Sequence, residues 1–364
     1  MANRGGFGPL ADGELGFVSE GKPGDGFRVW SESRGLVASV DGLGPVDSLL
    51  LQSGPADTVL AWKREGNLAA QYWDPSTLAF ETVPFDASPP VLDIISIGGE
   101  LQSPGFVMTA DTRNSGKETI MAFTYSDSGS APVYGATSIA FDIAFNPLVA
   151  AFAQTPPAPT GGTFTVAALF EDEVQLVDEN GAMIATSGYN SLEGLAQQLV
   201  CRSRAPTASG ALCIIRESST LEAFAWDGGS SLGPIYNLKD SSIDAGVTPS
   251  LATSLDVDRL PDGRFIALVD DQNGAVNLNL PDGTANVLLR VTDGEGTFTA
   301  AANLHVDGAI CAQGLGRGSY VTPDHPVWER GSTPLSFVMT CGRSPELSDT
   351  LIRVTPDLSA LTPL

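Results

Sequence analysis

The sequence predicts an all-β fold, and three observations carry that prediction. One block of strand, polar turn and strand recurs along the chain; 40 glycines and 25 prolines are spread over its whole length; and the units so marked, about fifty residues each, fill all 364 residues. A unit of this size cannot hide both faces of its sheet alone, whereas sheets stacked radially bury both faces against their neighbours. Radial stacking is a β-propeller, here of seven four-stranded antiparallel blades in one domain. The blades are expected at approximately 1–44, 45–88, 89–137, 138–188, 189–239, 246–292 and 299–364.

The blocks read, in order, FRVW-SESRG-LVASV with its turn at Ser31, AAQYW-DPST-LAFETV at Asp74, MAFTY-SDSG-SAPVYG at Asp127 and VQLV-DENG-AMIAT at Asp178. They continue as EAFAW-DGGSS-LGPIY at Asp227, VNLNL-PDG-TANVLL at Asp282 and LIRV-TPD-LSALTPL at Asp357. Successive turn positions are 43, 53, 51, 49, 55 and 75 residues apart. Asp and Gly at such places supply the local hydrogen bonds and positive φ that tight hairpins need, so the repeated Asp is read as turn chemistry. Calcium is the competing reading, strongest at Asp178–Gly181 and Asp270–Gly274, and neither run meets the twelve-residue calcium-loop pattern. Trp30, Trp62, Trp73 and Trp226 fall in strands of the repeat and are read as packing residues. The blocks carry neither the Trp-Asp ending of WD40 blades, nor the paired glycines of kelch blades, nor the regular Asp boxes of sialidases.

Upstream of most hairpins lies a further apolar segment with a carboxylate at its start: VDSLLLQ (Asp47), VLDIISIGG (Asp93), AFDIAFNP (Asp142), SLEGLAQQL (Glu193), SLDVDRLP (Asp256) and LHVDGAICA (Asp307). As innermost strands these would line a central channel and set a ring of acids at one mouth. Ionised carboxylates crowded there would repel one another and favour calcium, an amine or a basic side chain. Their bland role is to cap the backbone of their own strands.

Two excursions break the period. One is NLKDSSIDAGVTPS; the larger, GLGRGSYVTPDHPVWERGSTP, carries Tyr320, His325, Trp328 and Arg330, the composition of a binding hot spot on a loop. Only two histidines, His305 and His325, are present, which leaves little room for histidine chemistry. GLGRGS lacks the lysine of a phosphate loop.

Forty-three acidic against 19 basic residues give a formal charge of -24, which excludes nucleic acid and anionic bilayers as partners. No run approaches the roughly 18 apolar residues of a membrane helix. Cys201 pairs in expectation with Cys213, and Cys311 with Cys341, each pair joining the first two strands of its blade. Such disulfides persist in oxidising compartments, so the chain is expected to be secreted, periplasmic or on the cell surface, its signal peptide removed. The function that follows is a non-enzymatic scaffold presenting loops to a protein or glycan partner, with no cofactor other than calcium to consider. The alternative is a carboxylate-based hydrolase or lyase acting on a saccharide, with Asp and Glu as acid and base.

Overall fold

In a computed structural model of the chain, the described residues are the strands given below and the connecting residues 33–34, 170–172, 181–182, 189–191, 196, 217, 227–235, 260–264, 293–297, 334–335 and 355–364. Side-chain surroundings are described mainly from Leu148 onward. The chain is all-β: among the described residues the single helical element is a three-residue 3-10 turn at Leu358–Ala360.

Strands follow one another as antiparallel meanders. The first sheet is β1 (Gly5–Pro9), β2 (Leu15–Glu20), β3 (Gly26–Ser31) and β4 (Gly35–Asp41). The second is β5 (Ser48–Ser53), β6 (Thr58–Arg64), β7 (Asn67–Asp74) and β8 (Ala79–Thr82). The third is β9 (Val91–Gly98), β10 (Gly105–Thr112), β11 (Lys117–Asp127) and β12 (Pro132–Phe141). The fourth is β13 (Leu148–Ala153), β14 (Phe164–Leu169), β15 (Glu173–Asp178) and β16 (Met183–Gly188). A short parallel pairing of β9 with β13, through Ala151 opposite Ile97, joins the third and fourth meanders.

The fifth sheet is β17 (Gln198–Ala205), β18 (Ala208–Arg216), β19 (Thr220–Trp226) and β20 (Tyr236–Lys239). The sixth is β21 (Leu255–Arg259), β22 (Phe265–Asp270), β23 (Ala285–Thr292) and β24 (Phe298–Val306). Among the described residues the seventh has three strands, β25 (Pro323–Glu329), β26 (Ser336–Cys341) and β27 (Thr350–Val354). A last strand, β28 (Thr362–Pro363), pairs not with β27 but with β24. The chain divides into two compact units, residues 1–170 with 176–184, and 171–175 with 185–364.

Turn chemistry explains where third strands end. Ser31, Asp74, Asp127 and Asp178 close β3, β7, β11 and β15, and Asp227 directly follows β19. At Asp178 the carboxylate Oδ1 accepts from the Ala182 amide at 2.8 Å, and Gly181 takes φ +81°, a conformation other residues rarely adopt. Asp227 Oδ1 likewise accepts from Gly229 N at 2.9 Å.

The sixth block departs from the expectation. β22 pairs directly with β23, so TANVLLR is a third strand rather than a fourth, and its turn lies at Asp293, not Asp282. Asp293 Oδ1 accepts from Glu295 N at 2.9 Å and Thr297 N at 2.8 Å, and Gly296 takes φ +100°, so this turn repeats the Asp178 device. The period misled because PDG at 281–283 is an equally good turn triplet nearer the expected spacing. Consequently β24 runs past the expected boundary at 299, and LHV at 304–306 ends a fourth strand instead of starting a first one. Asp357 caps the 3-10 turn, accepting from Ser359 N at 2.9 Å, and does not turn a hairpin.

Alternation along the sixth sheet sends side chains to two cores. Phe265, Ala267, Val269 and Leu288 meet Leu212, Ile214, Leu221 and Ala223 of the fifth sheet on one side. Ile266, Leu268, Val287, Leu289 and Val291 meet Trp328 and Phe337 of the seventh on the other. A sheet apolar on both faces needs a neighbour on each, which is the physical requirement the repeat implied. In the first unit β14 is buried at every position.

Candidate functional site

Asp256 is the one carboxylate of the six expected inner acids whose side chain is described, and it is 8% exposed. It sits on β21 between Leu255 and Val257, whose side chains alternate away from it into the core. Its Oδ1 accepts from Arg202 Nη2 at 2.7 Å and from Val257 N at 2.9 Å, and its Oδ2 accepts from Trp328 N at 2.9 Å. Arg202 in turn donates from Nε to Val257 O at 2.6 Å. One carboxylate thus ties β17, β21 and β25, the first strands of three successive sheets. A buried charge needs such partners, and Asp256 has them in the fold itself.

Nearby arginines repeat the pattern. Arg204, two residues beyond Arg202 where the register of β17 shifts, donates from Nε to Gly294 O at 3.1 Å and pairs with Glu295 at 2.6 Å. Arg259 donates to Arg204 O at 3.1 Å. Arg290, 1% exposed, donates to Leu289 O at 2.8 Å, Ala302 O at 2.9 Å and Asn303 Oδ1 at 3.1 Å. Sequence reading passed over these residues; the signal that could have found them is an arginine inside an otherwise apolar strand, where burial demands acceptors.

Strand placement is described for three of the six expected acids. Asp47 directly precedes β5, and Asp93 and Asp256 lie within β9 and β21. Among the described residues the first strands of the fourth, fifth and seventh sheets begin at Leu148, Gln198 and Pro323. Asp47, Asp142, Glu193 and Asp307 themselves lie outside the described residues, as does the side chain of Asp93.

The last excursion also changes character. Trp328 was expected on an exposed loop; it lies on β25, 2% exposed, in edge-to-face contact with Phe337 at 5.6 Å between ring centroids. Its flanking polar residues suggested a surface, but the strand period turns the indole into the core between the sixth and seventh sheets. His325 is on the same strand, its side chain outside the described residues, and Tyr320 and Arg330 lie outside them altogether.

Cys201 and Cys213 form a disulfide, directly opposite each other on β17 and β18 with Cα atoms 4.0 Å apart. The closely spaced pairs of an antiparallel ladder bring two such thiols within bonding reach. Of the second expected pair, Cys341 ends β26, and Cys311 lies outside the described residues.

A second buried polar group joins the fourth and fifth sheets' ends within the second unit. The Tyr189 hydroxyl donates to Glu217 Oε1 at 2.8 Å, and Glu217, Glu222 and Arg216 are 0%, 1% and 3% exposed. Burial, then the hydrogen bonds to the Glu217 and Glu222 carboxylates, holds the phenol far above its ordinary range, so it stays a donor. At the surface, Thr186 and Gln175 donate to Glu173 and lower its pKa. Among the described residues no group of three or more His, Cys, Asp or Glu side chains is arranged to hold a metal ion, and no helix is long and apolar enough to cross a membrane.

No family model and no curated protein matches the sequence. Solved structures do. BBS1N, determined in complex with ARL6DN, is similar over 98% of this chain and 93% of its own, with a TM-score of 0.52 at 11% identity. The Dos1 propeller aligns with 93% of this chain and 75% of its own, with a TM-score of 0.47 at 13% identity. TolB from Acinetobacter baumannii aligns with 78% of this chain and 60% of its own, with a TM-score of 0.42 at 14% identity. At such identities the likeness speaks for fold alone: the chain is a β-propeller.

Proposed function

We propose that the chain is a non-enzymatic scaffold, working in an oxidising compartment, whose loops hold a protein partner. The observation that carries this reading is Asp256. As the described member of the acids expected to do chemistry, it spends both oxygens on Arg202, Val257 N and Trp328 N, tying sheets together. A carboxylate so engaged is poorly placed to serve as acid, base or calcium ligand. The Cys201–Cys213 disulfide supports a secreted, periplasmic or cell-surface location, because reducing compartments keep such pairs open. BBS1N, solved in complex with ARL6DN, gives one case in which a chain of this fold holds a protein partner.

Tyr320, His325 and Arg330 remain the contact residues of choice, whereas Trp328 is spent in the core between the sixth and seventh sheets. The test is capture. The oxidised chain, immobilised, is exposed to the secreted and cell-surface proteins of its host and to a glycan array, and each retained protein is titrated by biolayer interferometry. Tyr320→Ala and Arg330→Ala are expected to weaken a genuine protein partner by about thirtyfold each, near 2 kcal/mol. Shortening of array saccharides, with no protein retained beyond the level of a heat-denatured control, would replace the scaffold reading with the hydrolase or lyase one. Peptide mapping without reductant is expected to recover a 201–213 crosslink, and two free thiols there would remove the argument for location.

A further inference from the structure

The first strand of the seventh sheet is irregular at one place. From Asp324 to Val327 it advances three residues while β26 advances two, from Thr340 to Val338, so His325 and Pro326 together stand opposite Met339 in the ladder. This is a β-bulge, which leaves an extra residue unpaired and re-aims the strand around it. Pro326 has no amide to give to a ladder and is suited to that position. His325, one of the contact residues named above, therefore stands at the break.

A bulge fixes direction only as well as register is fixed beyond it. A one-residue change of register would send Trp328 to the opposite face of the sheet. Two contacts just past the break oppose such a slip. The indole is 2% exposed and packs edge-to-face on Phe337, a contact that is apolar and weakly directional. The Trp328 amide donates to Asp256 Oδ2 at 2.9 Å, a charge-assisted and directional bond. Asp256 cannot follow a moving strand, because its Oδ1 is held by Arg202 at 2.7 Å and by Val257 N at 2.9 Å.

We propose that Asp256, held by Arg202, is a positioning residue: it pins β25 just past its bulge, so that the segment carrying His325 is presented in one register. This rests on the reading of that segment as the contact surface. It adds that the surface is set from the sixth sheet, by a group that is itself buried and makes no contact with a partner.

The experiment needs no partner. His305 and His325 are the only histidines, so a chain labelled with carbon-13 at histidine Cε1 gives one signal from each ring per register, assigned through His305→Gln. Amide hydrogen exchange, read by mass spectrometry, follows residues 323–329 with β23 as reference. Wild type is compared with the double variant Arg202→Met and Asp256→Leu, which leaves no charge buried, and with Asp256→Asn; urea unfolding is recorded on each. Wild type is expected to give a single His325 signal. The double variant, with an unfolding midpoint near wild type, is expected to exchange 323–329 about tenfold faster while β23 is unchanged, and its His325 signal is expected to split or broaden while His305 stays. Asp256→Asn is expected to show the same changes in smaller degree. A purely structural role would instead speed 323–329 and β23 together, in step with lost stability. The proposal is overturned by that result, by wild-type exchange and His325 signals in both variants, by several His325 signals in wild type, or by failure of both variants to fold. Any of these leaves the contact surface standing, whereas a captured partner indifferent to Tyr320→Ala and Arg330→Ala would remove the surface and leave the pinned strand.

Discussion

Replacing Asp256 with alanine should unfold the second unit far more readily than any surface change. The substitution strands Arg202, whose side chain is 6% exposed, and removes the acceptor of the Trp328 amide. Breaking one side of a buried ion pair costs about 3–5 kcal/mol, and an orphaned buried amide about 1–3 kcal/mol, two figures that overlap here because one oxygen pair serves both. The expected loss is about 4 kcal/mol, a large share of the roughly 5–15 kcal/mol that holds a typical domain. In a unit of this size it corresponds to a fall in Tm of roughly 8–16 °C. Urea unfolding, followed by tryptophan fluorescence and circular dichroism, measures it. Asp256→Asn should lie between wild type and alanine, because the amide keeps one acceptor but turns a donor toward the arginine or the Trp328 N–H. The double variant Arg202→Met with Asp256→Leu should lose about 1 kcal/mol or less, since no charge is left buried. If Asp256→Ala costs under about 1 kcal/mol, or the double variant costs the sum of the singles, the three-sheet tie is wrong.

Two further outcomes follow from the burial of Trp328 and Tyr189. Trp328→Ala should cost about 3–5 kcal/mol, the range for deleting a buried indole, whereas an exposed loop tryptophan would cost under about 0.5 kcal/mol; thermal melts separate the two. Tyr189→Phe should cost about 1 kcal/mol at neutral pH by removing the bond to Glu217. The folded phenol titrates above its ordinary value of 10.0, so the tyrosine's contribution is complete below that pH and falls by about 1.4 kcal/mol per unit above it. The phenylalanine variant lacks that alkaline loss, and urea midpoints of the two proteins are therefore expected to converge and cross above about pH 10; parallel curves would refute the buried phenol.

Much of the fold was legible because its signals are local. The turn positions Ser31, Asp74, Asp127, Asp178 and Asp227 each fall at the end of a third strand, since an Asp or Ser at a hairpin satisfies amides within four residues of itself. Cys201 and Cys213 were legible as a pair for the same reason: twelve residues and one turn separate them. The candidate site was far less legible. The sixth turn escaped because two equivalent turn triplets compete, and only the pairing of β22 with β23 selects Asp293.

Composition and period thus determined by themselves that this chain is an acidic, all-β array of similar sheets with a cross-strand disulfide. Tertiary structure alone decided what its polar and aromatic residues do. Arg202 meets Asp256 across 54 residues, and Trp328 meets it across 72, so neither strand carries a sign of its partner. The final strand likewise joins β24 rather than its own hairpin. A turn is settled by the few residues that make it, whereas the partner of a buried charge, and the side of a sheet an indole occupies, depend on which distant surfaces fill each other.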